Sequence, residues 1–225
     1  MAWERMDRKD NAMNKRGIIF DMDGTLWDSA EGVAKAWTFV VNRDYDKNRI
    51  ITTEEIQSVM GKTMDKLAEA IFPELPEKER MELMERCCME ENDYLRVHGG
   101  TLYPDLEKTL EKLQKNYHLY IVSNCQSGYI EAFLEYYGFA KYFEDIECFG
   151  NNGFGKGKNI RNVVERNKLT DAIYVGDIQG DYDATMEAGI TFIHAAYGFG
   201  TIAQQTARIS CFAELPKAAE EIFKE

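Results

Sequence analysis

Short apolar runs alternate along this chain with longer segments whose apolar residues recur every three or four positions. Residues 17–20, 118–122, 146–149, 172–175 and 190–194 read as strands. Between them, Leu106, Leu110 and Leu113 fall on one helical stripe, and Ile130, Phe133, Leu134 and Tyr137 on another. Ile160, Val163 and Val164 begin a third. Gly138 and Gly189 stand where helix C-caps belong, since glycine takes the left-handed conformation at little cost. Strands spaced by helices predict an α/β fold with a mostly parallel sheet.

One connection breaks the rhythm. About a hundred residues separate the first strand from the second, several times what a crossover needs. The intervening pattern is helical: Val33, Trp37, Val40 and Val41 share a face, Thr52 to Glu55 has capping-box spacing, and Met81, Met84, Cys88 and Leu95 follow Pro76. The expected division is a sheet-bearing core over 1–26 and 101–225 and a helical insert over 27–100. The methionine and aromatic stripes are expected to be core. The first dozen residues are polar and expected to fray.

Charge and composition narrow the partners. With 39 acidic against 27 basic residues the net charge is -12, which repels a nucleic-acid backbone. Neither a membrane-length apolar run nor the apolar block of a secretory signal is present, so a cytoplasmic protein with no membrane partner is expected. Five cysteines without C-x-x-C spacing argue against a disulfide framework and a zinc site. Cys125 is reactive only if its pKa is lowered; otherwise it is an inert buried thiol.

The chemistry gathers behind the strands. Asp21-Met22-Asp23-Gly24-Thr25 puts two carboxylates one residue apart at the carboxyl end of the first strand, where α/β sheets bind ligands. Read alone, it is also a common Asp-Gly turn. After the second strand come Ser123 and Asn124, a hydroxyl and an amide suited to phosphoryl oxygens. Lys156 and Lys158 lie in a glycine-rich stretch before a helix, and Asp177 and Asp181 follow a later strand. Four ionised carboxylates in one cleft repel one another by roughly 4 kcal/mol per pair about 4 Å apart at an effective dielectric near 20. Oxygen-only ligands favour Mg²⁺ as the offsetting ion.

In this order the motifs resemble those of the haloacid dehalogenase superfamily. Its first motif corresponds to Asp21 to Thr25, the second to Ser123, the third to a lysine and the fourth to Asp177 with Asp181. The insert is similar to the helical cap of the phosphoglycolate phosphatase and β-phosphoglucomutase branch. The resemblance implies a Rossmann-like core with the first strand central, flanked by the strands bearing Ser123 and Asp177. It also implies a Mg²⁺-dependent phosphatase acting on a small phosphorylated metabolite, as a monomer or homodimer. Asp21 is then the nucleophile and Asp23 the general acid and base. Ser123, Asn124, the lysine and backbone N–H groups around Gly24 and Thr25 hold the phosphoryl group. Asp21, the backbone carbonyl of Asp23, Asp177 and Asp181 gather about the metal. An acid at position 23 argues against carbon–halogen and carbon–phosphorus cleavage.

The branch pattern favours Lys156 over Lys158. Asp105 stands where many relatives have glycine. Lys62, between two insert helices, faces either an anionic substrate or open solvent. Two rivals share these residues. A phosphosugar mutase would use the same pair of acids. A P-loop binder would use Gly150 to Lys156, but Gly157 follows where a Ser or Thr is required.

Overall fold

The computed structural model describes residues 15–224, so the first dozen residues, expected to fray, lie outside the described residues. Five strands form where the apolar runs predict them: β1 (Arg16–Phe20), β4 (His118–Ser123), β5 (Asp145–Cys148), β6 (Asp171–Gly176) and β7 (Thr191–Ala195). A sixth, β8 (Ala207–Ile209), was not foreseen; three residues with one buried position carry too little pattern to read. The sheet order is β5-β4-β1-β6-β7-β8, parallel throughout. β1 is therefore inside the sheet, with Ile18, Ile19 and Phe20 fully buried, which explains its continuous apolar run.

The insert is four helices: α1 (Ala30–Asp44), α2 (Thr53–Val59), α3 (Met64–Ile71) and α4 (Glu77–His98). α1 buries Val33, Trp37, Val40 and Val41 against α4, as their spacing predicts. The capping box forms at Thr52, whose side chain accepts from the Glu55 N–H while Glu55 reaches back to the Thr52 N–H. Such caps stabilise a helix by about 1 kcal/mol. At the two ends of the insert, β2 (Trp27–Asp28) pairs antiparallel with β3 (Thr101–Leu102), tying entry and exit together.

The remaining helices are α5 (Leu106–Leu113), α6 (Tyr129–Tyr137), α7 (Phe149–Asn152), α8 (Lys156–Arg166), α9 (Gln179–Ala188) and α10 (Leu215–Ile222). Gly138 and Gly189 cap α6 and α9 in the left-handed conformation, at φ 67° and 75°. Asp105, where the family pattern has glycine, also holds a left-handed backbone at φ 60°, which aspartate tolerates better than most residues. α6 packs against α4 and so seats the insert on the core. Among the described residues no helix is long and apolar enough to cross a membrane.

Candidate active site

Register brings the motifs to one edge. Phe20 sits opposite Val175 on β6 and Ile121 on β4, so the residues just beyond these partners emerge side by side. Asp21 continues the ladder by donating its N–H to the Val175 carbonyl at 2.9 Å. Two residues past Val175 is Asp177, and two past Ile121 is Ser123. Asp21, Asp177 and Asp181 each present a carboxylate oxygen within 4.8 Å of the others, and all three are buried.

Lys156 closes this cluster from the first turn of α8. Its ammonium lies 2.9 Å from Asp21 Oδ1 and 2.5 Å from Asp181 Oδ1, with the lysine only 4 % exposed. Burial acts against its charge, but Asp181 and Asp21 overcome that and hold its pKa above the usual lysine range. Lys158, the other candidate, is exposed and sits over the Phe154 ring, 3.2 Å from its centre.

The other oxygen of Asp181 accepts the N–H groups of Asp177 and Ile178, at 3.0 and 3.2 Å. Asp181 thus ties Lys156 to the loop carrying Asp177. That loop is held from a second side, where Asp177 Oδ2 accepts the Phe199 N–H at 2.7 Å. Gly24, at φ 80°, lets the first motif turn against Asp177; a Cβ there would collide with the Asp177 carboxylate. Burial, followed by the charge of Asp181, raises the pKa of both Asp21 and Asp177. This cluster calls for a cation.

Asp23 faces the other way. Its Oδ1 accepts from Tyr129 Oη at 2.6 Å and Ser29 Oγ at 2.8 Å, and the two hydroxyls are 2.7 Å apart. Burial lifts its pKa to about 6, against these two hydrogen bonds, which lower it. Neither Ser29 nor Tyr129 was anticipated. Nothing in the spacing of either connects it with residue 23.

Asp23, Ser123 and Asn124 line a cleft between insert and core. Lys62 is on its lining too, exposed, in the turn between α2 and α3. The neighbouring Gly61 carbonyl accepts Asn124 Nδ2 at 2.9 Å, so that amide group joins core to insert. The Gly24 and Thr25 amides close the turn on the Trp27 and Met22 carbonyls, and the Thr25 hydroxyl is buried without a partner. Cys125 is buried, and burial drives its pKa well up, as expected of an inert thiol.

Residues 18–195 match the family model described as haloacid dehalogenase-like hydrolase. The chain belongs to that family. Among its relatives, a phosphoglycolate phosphatase of Vibrio parahaemolyticus is 28% identical over 200 residues, covering 81% of this chain and 84% of that protein. The phosphoglycolate phosphatase of Escherichia coli K12 is 27% identical over 217 residues, covering 83% and 85%. A haloacid dehalogenase-like family hydrolase from Streptococcus pneumoniae shares the fold, with a TM-score of 0.75 at 22% identity over 90% of this chain and 97% of that one. The family, branch and phosphatase class expected from the motifs agree with these relatives.

Proposed function

We propose that this haloacid dehalogenase-like hydrolase is a Mg²⁺-dependent phosphatase that cleaves a small phosphomonoester through an aspartyl-phosphate on Asp21. The observation that carries the reading is the buried cluster of three carboxylates with a single ammonium, that of Lys156, which pairs with two of them, Asp21 and Asp181. Three negative charges against one positive leave two in a desolvated place. All the donors are carboxylate oxygens, so the residues fit a hard divalent ion.

Asp21, Asp177 and the Asp23 carbonyl would hold the ion, with Asp181 beside them orienting Lys156. When bound, the ion supplies positive charge that offsets the phosphoryl oxygens and aligns them. Asp21 attacks phosphorus, and the bond from phosphorus to the ester oxygen breaks. Asp23 delivers its proton to the departing oxygen, for which a carboxyl titrating near 6 is suited. Water then attacks the phosphorus of the aspartyl-phosphate, Asp23 takes its proton, and inorganic phosphate leaves with Asp21 restored. Throughout, Lys156 and Ser123 hold the phosphoryl oxygens as charge redistributes. Tyr129 and Ser29 fix the direction from which Asp23 acts. The insert, residues 27–100, serves as the cap over the leaving group.

Release of inorganic phosphate from p-nitrophenyl phosphate tests this directly. Turnover with Mg²⁺, its loss in EDTA and its return on adding Mg²⁺ are expected. Metal-independent hydrolysis at the same rate, or none from any phosphomonoester in a broad panel, would refute it.

A further inference from the structure

The walls of the cleft beside Asp23 are mostly apolar: Trp37, Ile56, Met60 and Leu67 come from α1, α2, the turn after it and α3. Apart from Asp23, Ser123 and Lys62, and from Gln126 and Tyr129, which hydrogen-bond Asn92 and Asp23, two polar groups interrupt them. Glu91 of α4 is 4 % exposed, its Oε2 accepting Trp37 Nε1 at 2.6 Å with Gln126 also hydrogen-bonded to it. Asn124 is the second. Its NH₂ is committed to the Gly61 carbonyl, which fixes the orientation of the amide and leaves Oδ1 buried with no partner. Among the lining residues the only cation is Lys62, at the exposed rim.

We propose that this cleft selects phosphomonoesters whose leaving group carries an uncharged hydroxyl and rejects those carrying a carboxylate, with Glu91 and Asn124 as the selecting side chains. The proposal rests on the phosphatase reading of the adjoining site. A hydroxyl brings a donor to the unpaired Asn124 oxygen and can both give to and accept from Glu91. A carboxylate brings only acceptors. It would leave the Asn124 oxygen unsatisfied and lose its own hydration against apolar walls with no enclosed cation. Burial pushes the Glu91 pKa to about 8, so near neutrality it meets the substrate largely as the acid. The acid can donate one hydrogen bond to a carboxylate, so near neutrality the choice falls mainly to the Asn124 oxygen and the lost hydration; the ionised form would repel a carboxylate, so the preference should sharpen as pH rises.

Two nearly isosteric esters isolate this choice, 2-hydroxyethyl phosphate and carboxymethyl phosphate. With the full chain and Mg²⁺, kcat/KM for the hydroxyethyl ester is expected to exceed the other by about tenfold or more, chiefly through KM. Glu91→Gln should narrow the ratio; the wild-type ratio carries the test even if that variant folds poorly. Equal rates, or a carboxymethyl preference that vanishes in Lys62→Ala, would overturn the proposal. Hydrolysis of p-nitrophenyl phosphate with neither small ester touched would overturn it while sparing the phosphatase reading. Inertness toward all three esters would remove that reading, and this proposal with it.

Discussion

The two sides of Asp23 are built on different principles. On the sheet side, the loops after β1 and β6 and the first turns of α8 and α9 bring Asp21, Asp177, Asp181 and Lys156 into a cluster of charges, with the one ammonium paired to Asp21 and Asp181. On the insert side, helices and a turn surround Glu91 and Asn124 with apolar groups, and the Asn124 carbonyl oxygen there remains unpaired. The first is set up for one charged group common to all its substrates; the second is free to differ. If so, variants on the sheet side should remove chemistry outright, and variants on the insert side should change what is chosen and how the protein responds to pH.

The sharpest break is Asp21→Asn. Its amide is a far poorer nucleophile, and removing such a group costs about 10⁴-fold or more in kcat. Phosphate-release assays should find no turnover above background, and a rate within tenfold of wild type would undo the comparison. Asp23→Asn should cost about 10³-fold by removing the proton donor. It should leave intact the rise in melting temperature that Mg²⁺ produces by binding only the folded state. A loss of that rise would put the Asp23 side chain among the metal-holding groups.

Tyr129→Phe is expected to cost about tenfold in kcat, because Asp23 keeps Ser29 but loses one of the two hydroxyls that aim it. In an Asp23→Asn background the same change should cost almost nothing, since the group it positions is gone. Equal losses in both backgrounds would make Tyr129 a packing residue only.

These effects track what the chain discloses before folding. The sheet side was legible because each of its acids follows an apolar run and its lysine opens a helix, so short-range pattern and strand order suffice. Which lysine was less so: Lys156 and Lys158 differ only in which helical face they take, and burial at the turn of α8 decides it. β8 and the β2–β3 pair are too short to show periodicity. The insert side was hidden for another reason. Trp37 reads as core and is core, 2 % exposed, yet it also donates to a carboxylate that lines a cleft. One signal was present. On α4, the stripe through Met84, Cys88 and Leu95 skips from 88 to 95, and the position that completes it is Glu91. A carboxylate on an apolar stripe asks for a partner, and its partners here come from α1 and from the loop after β4.

The smallest expected effect lies wholly on that side and concerns stability. Glu91 titrates at about 8 in the folded protein against 4.5 for an ordinary glutamate, raised by burial and, further, by the charge of Asp23. Folding therefore takes up a proton at Glu91 between these values. The folded state is most favoured below about pH 4.5 and loses that advantage as pH rises toward 8. Asp21, Asp23 and Asp177 are displaced in the same direction, so the wild-type slope belongs to several groups at once. Glu91→Gln isolates one of them: between pH 5 and 6, in EDTA, the fall in unfolding free energy should shrink by about 1 kcal/mol relative to wild type, a little less than the roughly 1.4 kcal/mol that one full pKa unit is worth. Urea melts at the two pH values measure it. An unchanged slope would mean that Glu91 stays ionised in its cleft, compensated by a cation that the present arrangement does not supply.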